Sequence, residues 1–526
     1  MTSPTLDTTR PWHGSWPGHL AHSLDYPSVP AWWLLERNLP RFAERTAIRE
    51  LDHTTLAEGR TFTYEALWSA VRGAAAGLRG HGVERGVRVG FCLPNGAPLI
   101  VGYYATWYAG GVVVPANPLA TEGEVGHQLA DAGVSLVVGV AGGVGETVGG
   151  ALKVPFVDLT AFQAMERERP AAPAPCVPED DVAVLLYTGG TTGAPKGAML
   201  THRNIVANTL QFATWYAFEP GAEVAACAIP MFHSGGMSGV MNVPLSAGST
   251  LLVFSRFTAA SVARTVEHER VTRLFGVPTM FIALLNDATA RAASYASLRA
   301  CRTNAAPLPP TVKTAFDTLV GREVLIEGYG LTETSPLTHA NPITRAKAGA
   351  IGIPLPDTDA RIVDLASGLD VVPGESGELL IRGPQVMRGY WNRPEATAEA
   401  IVDGWFRTGD VATQDADGYF AIVDRRKDMI NTAGFKVWPR EVEEALYAHS
   451  AVRQVAVVGV PDDYRGEAVK AFVVLKDDAR CGESDLTAFL RERLTAYKVP
   501  RAIEFRRELP TSGVGKVLRR ALRDER

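Results

Sequence analysis

Apolar positions fall into two rhythms along most of the chain. Short unbroken runs, expected as buried strands, alternate with stretches spaced for helices. Thr63 can cap a helix whose Leu67, Val71 and Leu78 share one face, and VRVGFCLP from Val87 then reads as a strand. A helix through Ala97–Tyr108 follows, with Pro98 in its first turn, where a missing N–H costs nothing. The runs SLVVGV, VAVLLYTG and TLLVF (Thr250–Phe254) predict further strands, and NIVANTLQFATWY after Thr201 predicts another helix. Repeated units of this kind, starting near Phe62, predict doubly wound α/β layers.

The texture changes twice more. Near Ala360, RIVDLASGLDVVPGESGELLIRGP reads as two strands around a Gly/Pro turn, the mark of an antiparallel or barrel-like unit. After Asp424, REVEEALYAH and SDLTAFLRERL read as helices, and QVAVVGV and AVKAFVVL as strands. Ser484 is the expected N-cap of the last helix, with Leu486, Phe489, Leu490 and Leu494 on one face. These residues predict a separate C-terminal α+β unit, and the charged DRRKD at Asp424–Asp428 reads as a hinge.

Composition narrows the class of protein. A chain of 526 residues is too long for one simple core. Its 52 Lys and Arg against 57 Asp and Glu give a formal charge of −5 with no block of one sign, which argues against a nucleic-acid partner. Apolar residues make up 46% and charged residues 21%, enough to bury a large core. The five cysteines are too widely spaced for a zinc knuckle or redox dithiol and are expected to be free. The N-terminus lacks an apolar signal region and the most apolar stretch, 132–145, is short and glycine-rich, so no transmembrane segment and a cytoplasmic location are expected.

Candidate chemistry concentrates in YTGGTTGAPKG, Tyr187–Gly197, between a predicted strand and a predicted helix. Glycines admit a ligand close to the backbone, threonine hydroxyls and amides donate to phosphate oxygens, and Lys196 adds a cation. The common P-loop needs Gly-Lys-Ser/Thr, whereas Lys196 stands between Pro195 and Gly197. A plain surface turn is the alternative, though it has no use for paired threonines and a lysine.

With that loop the chain resembles the adenylate-forming enzymes, the superfamily of acyl-CoA synthetases, nonribosomal-peptide adenylation domains and beetle luciferases. Gly189 stands where serine is usual. Further segments carry the resemblance in the family's order: NAAPL (Asn304–Leu308), YGLTETSP (Tyr329–Pro336), RTGD (Arg407–Asp410), DRRKD, NTAGFKV and PTSGVGKVLRR (Pro510–Arg520). The implied fold is α/β: a large N-terminal domain, residues 1–424, of two doubly wound subdomains plus a distorted β-barrel, and a small mobile C-terminal α+β domain, residues 425–526.

The resemblance implies ATP, Mg²⁺ and coenzyme A as ligands. Thr188, Gly190, Thr191, Thr192, Gly193 and Lys196 would hold phosphates, and Ala305, Ala306, Pro307, Tyr329 and Gly330 would hold adenine. Thr332 would face the α-phosphate, Glu333 would ligate Mg²⁺, and Asp410 and Arg425 would bind ribose. Lys516 is the implied catalytic lysine, joined in the catalytic set by Glu333, Thr188 and His233. Val514 stands where a hydroxyl is common. Taken alone, Lys516 would read as one more solvated charge in a basic tail with Arg519, Arg520 and Arg523. Lys427 matches the hinge position, and Gly434 the glycine of the pantetheine tunnel, with a simple turn glycine as its alternative.

The implied reaction joins a carboxylic acid to ATP as acyl-AMP with release of pyrophosphate, then passes the acyl group to coenzyme A. Pro230–Pro244 would line the acyl pocket, through His233, Gly235, Gly236 and Met237. His233 reads as lining or gate rather than as acid or base. Met237 and Met241 read as adaptable pocket wall or as core filling. No aspartate follows His233 to pair a substrate ammonium, which argues against an amino acid. Medium- or long-chain fatty acids fit the texture best, with an aryl acid as the alternative. A second alternative is an acyl-AMP ligase that loads a carrier-protein pantetheine, the one reading with a protein partner. An inactive binding regulator is opposed by the intact Glu333, Asp410, Arg425 and Lys516, and a luciferase would share the same motifs. Some fatty-acid relatives are homodimers.

Overall fold

The computed structural model describes residues 10–52, 54–188, 195–462, 464–476, 479–511 and 517–524. Two large mixed sheets, a curled antiparallel sheet and a small C-terminal sheet follow one another, the α/β arrangement that the alternating pattern predicts. The seven-stranded first sheet has parallel neighbours Val182–Tyr187, Val112–Pro115, Arg88–Cys92, Leu136–Gly139 and Phe156–Asp158. Gly197–Thr201 adds to it antiparallel, and the two-residue strand Gly389–Tyr390 pairs with that edge from a distant part of the chain. The nine-stranded second sheet runs parallel through Leu325–Gly330, Ala300–Thr303, Arg273–Gly276, Val224–Cys227, Thr250–Phe254 and Thr46–Leu51.

Helix Ala97–Ala109 shows why the two sheets stay together. It is apolar on every side, the signature of a helix without a solvent face. The Trp107 indole donates to the Ala183 carbonyl of the first sheet at 3.0 Å. Tyr103 donates to the Met231 carbonyl at 3.0 Å, and Tyr104 to Asn242 Oδ1 at 2.9 Å, both on the side of the second sheet. Tyr103, Tyr104 and Trp107 thus each have a partner, and together those partners tie one layer to the next.

The local signals fold largely as expected. Thr63 Oγ1 accepts from the Ala66 N–H and starts helix Tyr64–Gly80, a cap that contributes about 1 kcal/mol. Thr201 and Asn204 form a reciprocal cap on helix His202–Trp215. Asp359–Val363, Gly377–Arg382, Trp405–Gln414 and Phe420–Arg425 make the curled antiparallel sheet. In the C-terminal unit, Val452–Asp462 and Gly466–Leu475 form a long hairpin, which Ala502–Phe505 joins in parallel.

Two expectations need correction. Ser484 lies inside helix Glu483–Arg491, and Gly482 is the N-cap, its N–H bonded to the Asp485 carboxylate at 2.9 Å. Regular structure begins before Phe62: Thr46–Leu51 and Glu58–Thr63 pair antiparallel and close the edge of the second sheet. Near the C-terminus Arg519 is ion-paired to Glu443 at 2.7 Å and to Asp424 at 3.1 Å, and Arg523 to Asp428 at 3.3 Å. All five cysteines are free, and three of them are buried. Among the described residues no helix is long and apolar enough to cross a membrane.

His202 is an acid-sensitive point in this frame. Its Nδ1 accepts the Ala31 N–H at 3.0 Å, and burial pulls the ring down to about 4. A histidine near 6.5 when unfolded and near 4 when folded binds more protons in the unfolded chain between those values. Its stabilising contribution is present above about pH 6.5 and is lost as pH falls toward about 4. Melting temperatures between pH 4 and 8 should show that loss. His202→Gln, which keeps an acceptor for Ala31, should flatten it; parallel curves for the two proteins would count against His202.

Candidate active site

The phosphate-loop sequence leaves the first sheet at Tyr187 and returns to it at Gly197. The Thr188 N–H donates to the Lys196 carbonyl at 3.0 Å, closing the neck of the loop. Gly190, Thr191, Thr192 and Gly193 lie outside the described residues, and so does Lys516. The neck is braced from the side: Tyr187 donates to Asp131 Oδ2 at 2.7 Å, and Asp131 also pairs with Arg393 at 2.6 Å. A Cβ at Gly197 would sit 3.1 Å from the Tyr187 ring, so glycine is the residue that lets the two sides close.

Strand Gly389–Tyr390 sits on the returning edge, and the Trp391 N–H donates to the Gly197 carbonyl at 2.8 Å. Lys196 Nζ lies 5.1 Å from the Tyr390 ring centre, and the Tyr390 hydroxyl donates to Glu333 Oε1 at 2.8 Å. The phosphate-loop lysine and the magnesium-segment carboxylate therefore meet on the two sides of one phenol. Tyr390, Tyr187 and Asp131 were not singled out from the sequence. Tyr390 is placed by a strand pairing nearly 200 residues apart and Asp131 by the packing of helix Glu122–Ala132 beside the neck, for which local pattern holds no signal.

Glu333 stands on the single turn Thr332–Thr334 that ends strand Leu325–Gly330. A side chain at Gly330 would run into the Pro336 carbonyl, so this glycine is required by the tight turn. Burial raises the Glu333 carboxyl, and the Tyr390 bond and the Arg425 charge oppose that rise. Tyr329 donates to Asp410 Oδ2 at 2.6 Å, and Asp410 Oδ1 pairs with Arg425 Nε at 3.2 Å. Tyr329, Asp410 and Arg425, taken from three separate motifs, thus form one contiguous group. Ala305, held at φ 71°, and Pro307 are exposed beyond strand Ala300–Thr303, and Ala306 is half-buried beside them. Behind them the Leu308 N–H donates to buried Glu327 at 3.3 Å, a carboxyl that burial pushes up to about 7.

On the acyl side, Gly235–Asn242 forms a π-helix, a rare geometry that recurs at functional sites. Burial holds the His233 ring down to about 4, so it is neutral at physiological pH, as a lining residue would be. A Cβ at Gly235 would face Asn304 Nδ2 at 3.6 Å, whereas one at Gly236 would strike the Pro230 carbonyl. Met237 and Met241 are completely buried in the main core.

Lys427 lies on the turn Arg426–Asp428, where desolvation and then Arg425 lower its ammonium to about 8. Gly434, at φ 87° after Ala433 at φ 51°, makes the tight turn before Phe435–Val437, and no described atom lies within 4 Å of where its Cβ would be. The chain resumes beyond residues 512–516 at Val517, which bridges to Thr511. Arg519 then ties the segment to Asp424 and Asp428 of the hinge.

Residues 35–391 match the AMP-binding enzyme family, and residues 441–516 match the AMP-binding enzyme C-terminal domain. The chain is 39% identical to a long-chain-fatty-acid–CoA ligase of Bacillus subtilis over 99% of both chains. It is 42% identical to a feruloyl-CoA synthase of an Amycolatopsis species, over 88% of this chain and 94% of that one. Among solved structures it is similar to ATP-bound MatB from Rhodopseudomonas palustris, with a TM-score of 0.86 and 30% identity over 94% of this chain and 99% of that one.

Tyr390→Phe removes the hydrogen bond that holds the Glu333 carboxyl down. That carboxyl should then rise further, and the acid limb of the pH–rate profile for pyrophosphate exchange should move to higher pH. Because a hydrogen bond to a charged group is worth roughly 1.5–3 kcal/mol, the rate near neutral pH should fall about tenfold or more. An unchanged profile would separate Tyr390 from the function of Glu333.

Proposed function

The chain belongs to the AMP-binding enzymes and is an AMP-forming acid–CoA ligase, and from that premise we propose that it activates an acid with an apolar body. The acid becomes acyl-AMP with loss of pyrophosphate, and the acyl group then passes to coenzyme A. The observation that carries this reading is the grouping of Lys196, Tyr390 and Glu333 with Tyr329, Asp410 and Arg425, the charges of the last two acting on Glu333. Cation, carboxylate and ribose-pairing groups are what two anionic reactants and a nucleotide require together.

A carboxylate attacking the α-phosphorus needs no activated nucleophile; its barrier is mainly electrostatic and positional. Thr188, the loop 190–193 and Lys196 would hold the phosphates, with Thr332 at the α-phosphate. Asp410 and Arg425 would hold the ribose, and Ala305, Ala306, Pro307 and Tyr329 the adenine. Glu333, flanked by hydroxyls, is an oxygen donor suited to a hard cation, and Mg²⁺ there would neutralise phosphate charge. Lys516 would bridge the attacking carboxylate and the nucleotide. Rotation about Lys427, in a C-terminal unit from residue 425 onward, would withdraw Lys516 and bring the Gly434 turn to the cleft for thiolysis.

Full-length likeness to the Bacillus subtilis ligase supports a medium- or long-chain fatty acid. The aryl-acid reading is supported by the likeness to the feruloyl-CoA synthase and by the buried rings of Phe212, Tyr216 and Phe275 behind the π-helix. Mass spectrometry after incubation with Mg²⁺-ATP and fatty or aryl acids, with and without coenzyme A, tests the whole reading. Acyl-CoA and AMP are expected; acyl-AMP accumulating despite coenzyme A would point to a carrier-protein acceptor. Lys516→Ala should slow single-turnover pyrophosphate release by roughly 10²–10³-fold, the loss typical of one charge-stabilising donor. ATP affinity should stay within a few-fold. Comparable acyl-AMP formation by the variant would refute the lysine's role.

A further inference from the structure

Arg302 is a buried cation without a counter-charge among the described residues. It lies on strand Ala300–Thr303 at 3% exposure. Among the described residues no carboxylate pairs with it, no group accepts a hydrogen bond from it, and its Nε is buried without a partner. Its neighbours are the Phe212 ring at 4.1 Å and those of Tyr216 and Phe275 at 5.8 and 5.9 Å. Aromatic faces soften the desolvation of a guanidinium but do not supply its hydrogen bonds. Burial pulls its titration down only to about 10, so the group stays charged at neutral pH. The phenolic oxygen of Tyr216 is likewise buried and unpartnered. Two orphaned polar groups in one aromatic enclosure are exceptional in a folded interior.

The position of Arg302 relates this enclosure to the acyl site. Side chains two apart on a strand share a face, so Arg302 and Asn304 both look toward the π-helix. A Cβ at Gly235 would face Asn304 Nδ2 at 3.6 Å, and one at Gly239, a turn further on, would lie 3.2 Å from Arg302 Nη1. Asn304 is half-buried, next to the exposed Ala305 of the nucleotide cleft, and Arg302 is one level deeper, about 7 Å along the strand. Glycine at 235 and 239 leaves the two polar side chains facing the helix without a Cβ between them.

We propose that Arg302 pairs with a hydrogen-bond acceptor, most tightly an anionic one, carried by the acyl group at the end away from the carboxylate that is activated. The substrate is then an acid with a second polar terminus, which sets an aryl or dicarboxylic acid ahead of the plain fatty acid that the likeness to the Bacillus subtilis ligase supports. A carboxylate ending a short aliphatic chain and an oxygen across an aromatic ring both satisfy this chemistry. The inference rests on the CoA-ligase reading of the same site and narrows its substrate.

The test compares matched acids in both series: hexanoate against hexanedioate, and cinnamate against 4-hydroxycinnamate, with decanoate as a plain long chain. The readout is kcat/KM for acyl-CoA formation by the wild-type chain, Arg302→Met and Arg302→Lys. The wild type should prefer the acceptor-bearing member of at least one pair tenfold or more, and the pair that responds identifies aliphatic or aromatic substrate. Arg302→Met should abolish that preference while plain acids are used as well as before or better, and Arg302→Lys should retain part of it. Equal preference in wild type and Arg302→Met, or decanoate as the best substrate of the wild type, would overturn the proposal. If no acid yields acyl-CoA, the ligase reading fails on its own account. Thermal shift with the same acids then decides: stabilisation of the wild type but not of Arg302→Met by an acceptor-bearing acid supports the pairing, and equal or absent shifts refute it. Should Arg302→Met fail to fold, Arg302→Lys in both assays carries the same decision.

Discussion

The hydroxyl bond from Tyr390 to Glu333 is the contact on which the nucleotide side of the site depends. The carboxylate belongs to a turn at the end of the second sheet, whereas Lys196 belongs to the edge of the first. Neither sheet alone can set the spacing between them. Tyr390 does so because Gly389–Tyr390 pairs with the strand that carries the loop's return, and its ring reaches across the seam. A small strand with little burial of its own thereby connects two layers whose cores are otherwise distinct on their outer faces.

The same economy appears at the hinge. Asp424 takes the Arg440 N–H at 2.7 Å and the Arg519 guanidinium at 3.1 Å, so the last strand of the curled sheet, the first C-terminal helix and the final helix converge on one buried carboxylate. Arg425, the next residue, points to Asp410 instead. Adjacent residues thus face different groups, Asp424 joining the curled sheet to two later helices and Arg425 completing the group of Tyr329 and Asp410.

The acyl side is organised by different physics. Around the π-helix stand glycines and buried rings with few hydrogen-bonding groups, so an acyl group bound there would be selected by shape and by any polar group left unsatisfied. Arg302 and the Tyr216 phenol are such groups. An interior that desolvates a guanidinium without a counter-charge is stabilised when a ligand supplies one, which couples occupancy to discrimination.

Much of this was determined by the sequence. Helix caps such as Thr63 and Thr201, the buried strand runs and the free cysteines follow from near-neighbour chemistry, which acts over a few residues and is therefore written locally. The family motifs gave Glu333, Asp410 and Arg425 as separate segments, because each motif is a short run that can be read by itself. The tertiary structure alone decided that Tyr329, Asp410 and Arg425 form one group, that Tyr390 joins Lys196 to Glu333, and that Arg302 is buried without a counter-ion among the described residues. Those facts depend on which strands become neighbours. Strand pairing across hundreds of residues is settled by the packing of whole layers, and no local run of residues encodes it.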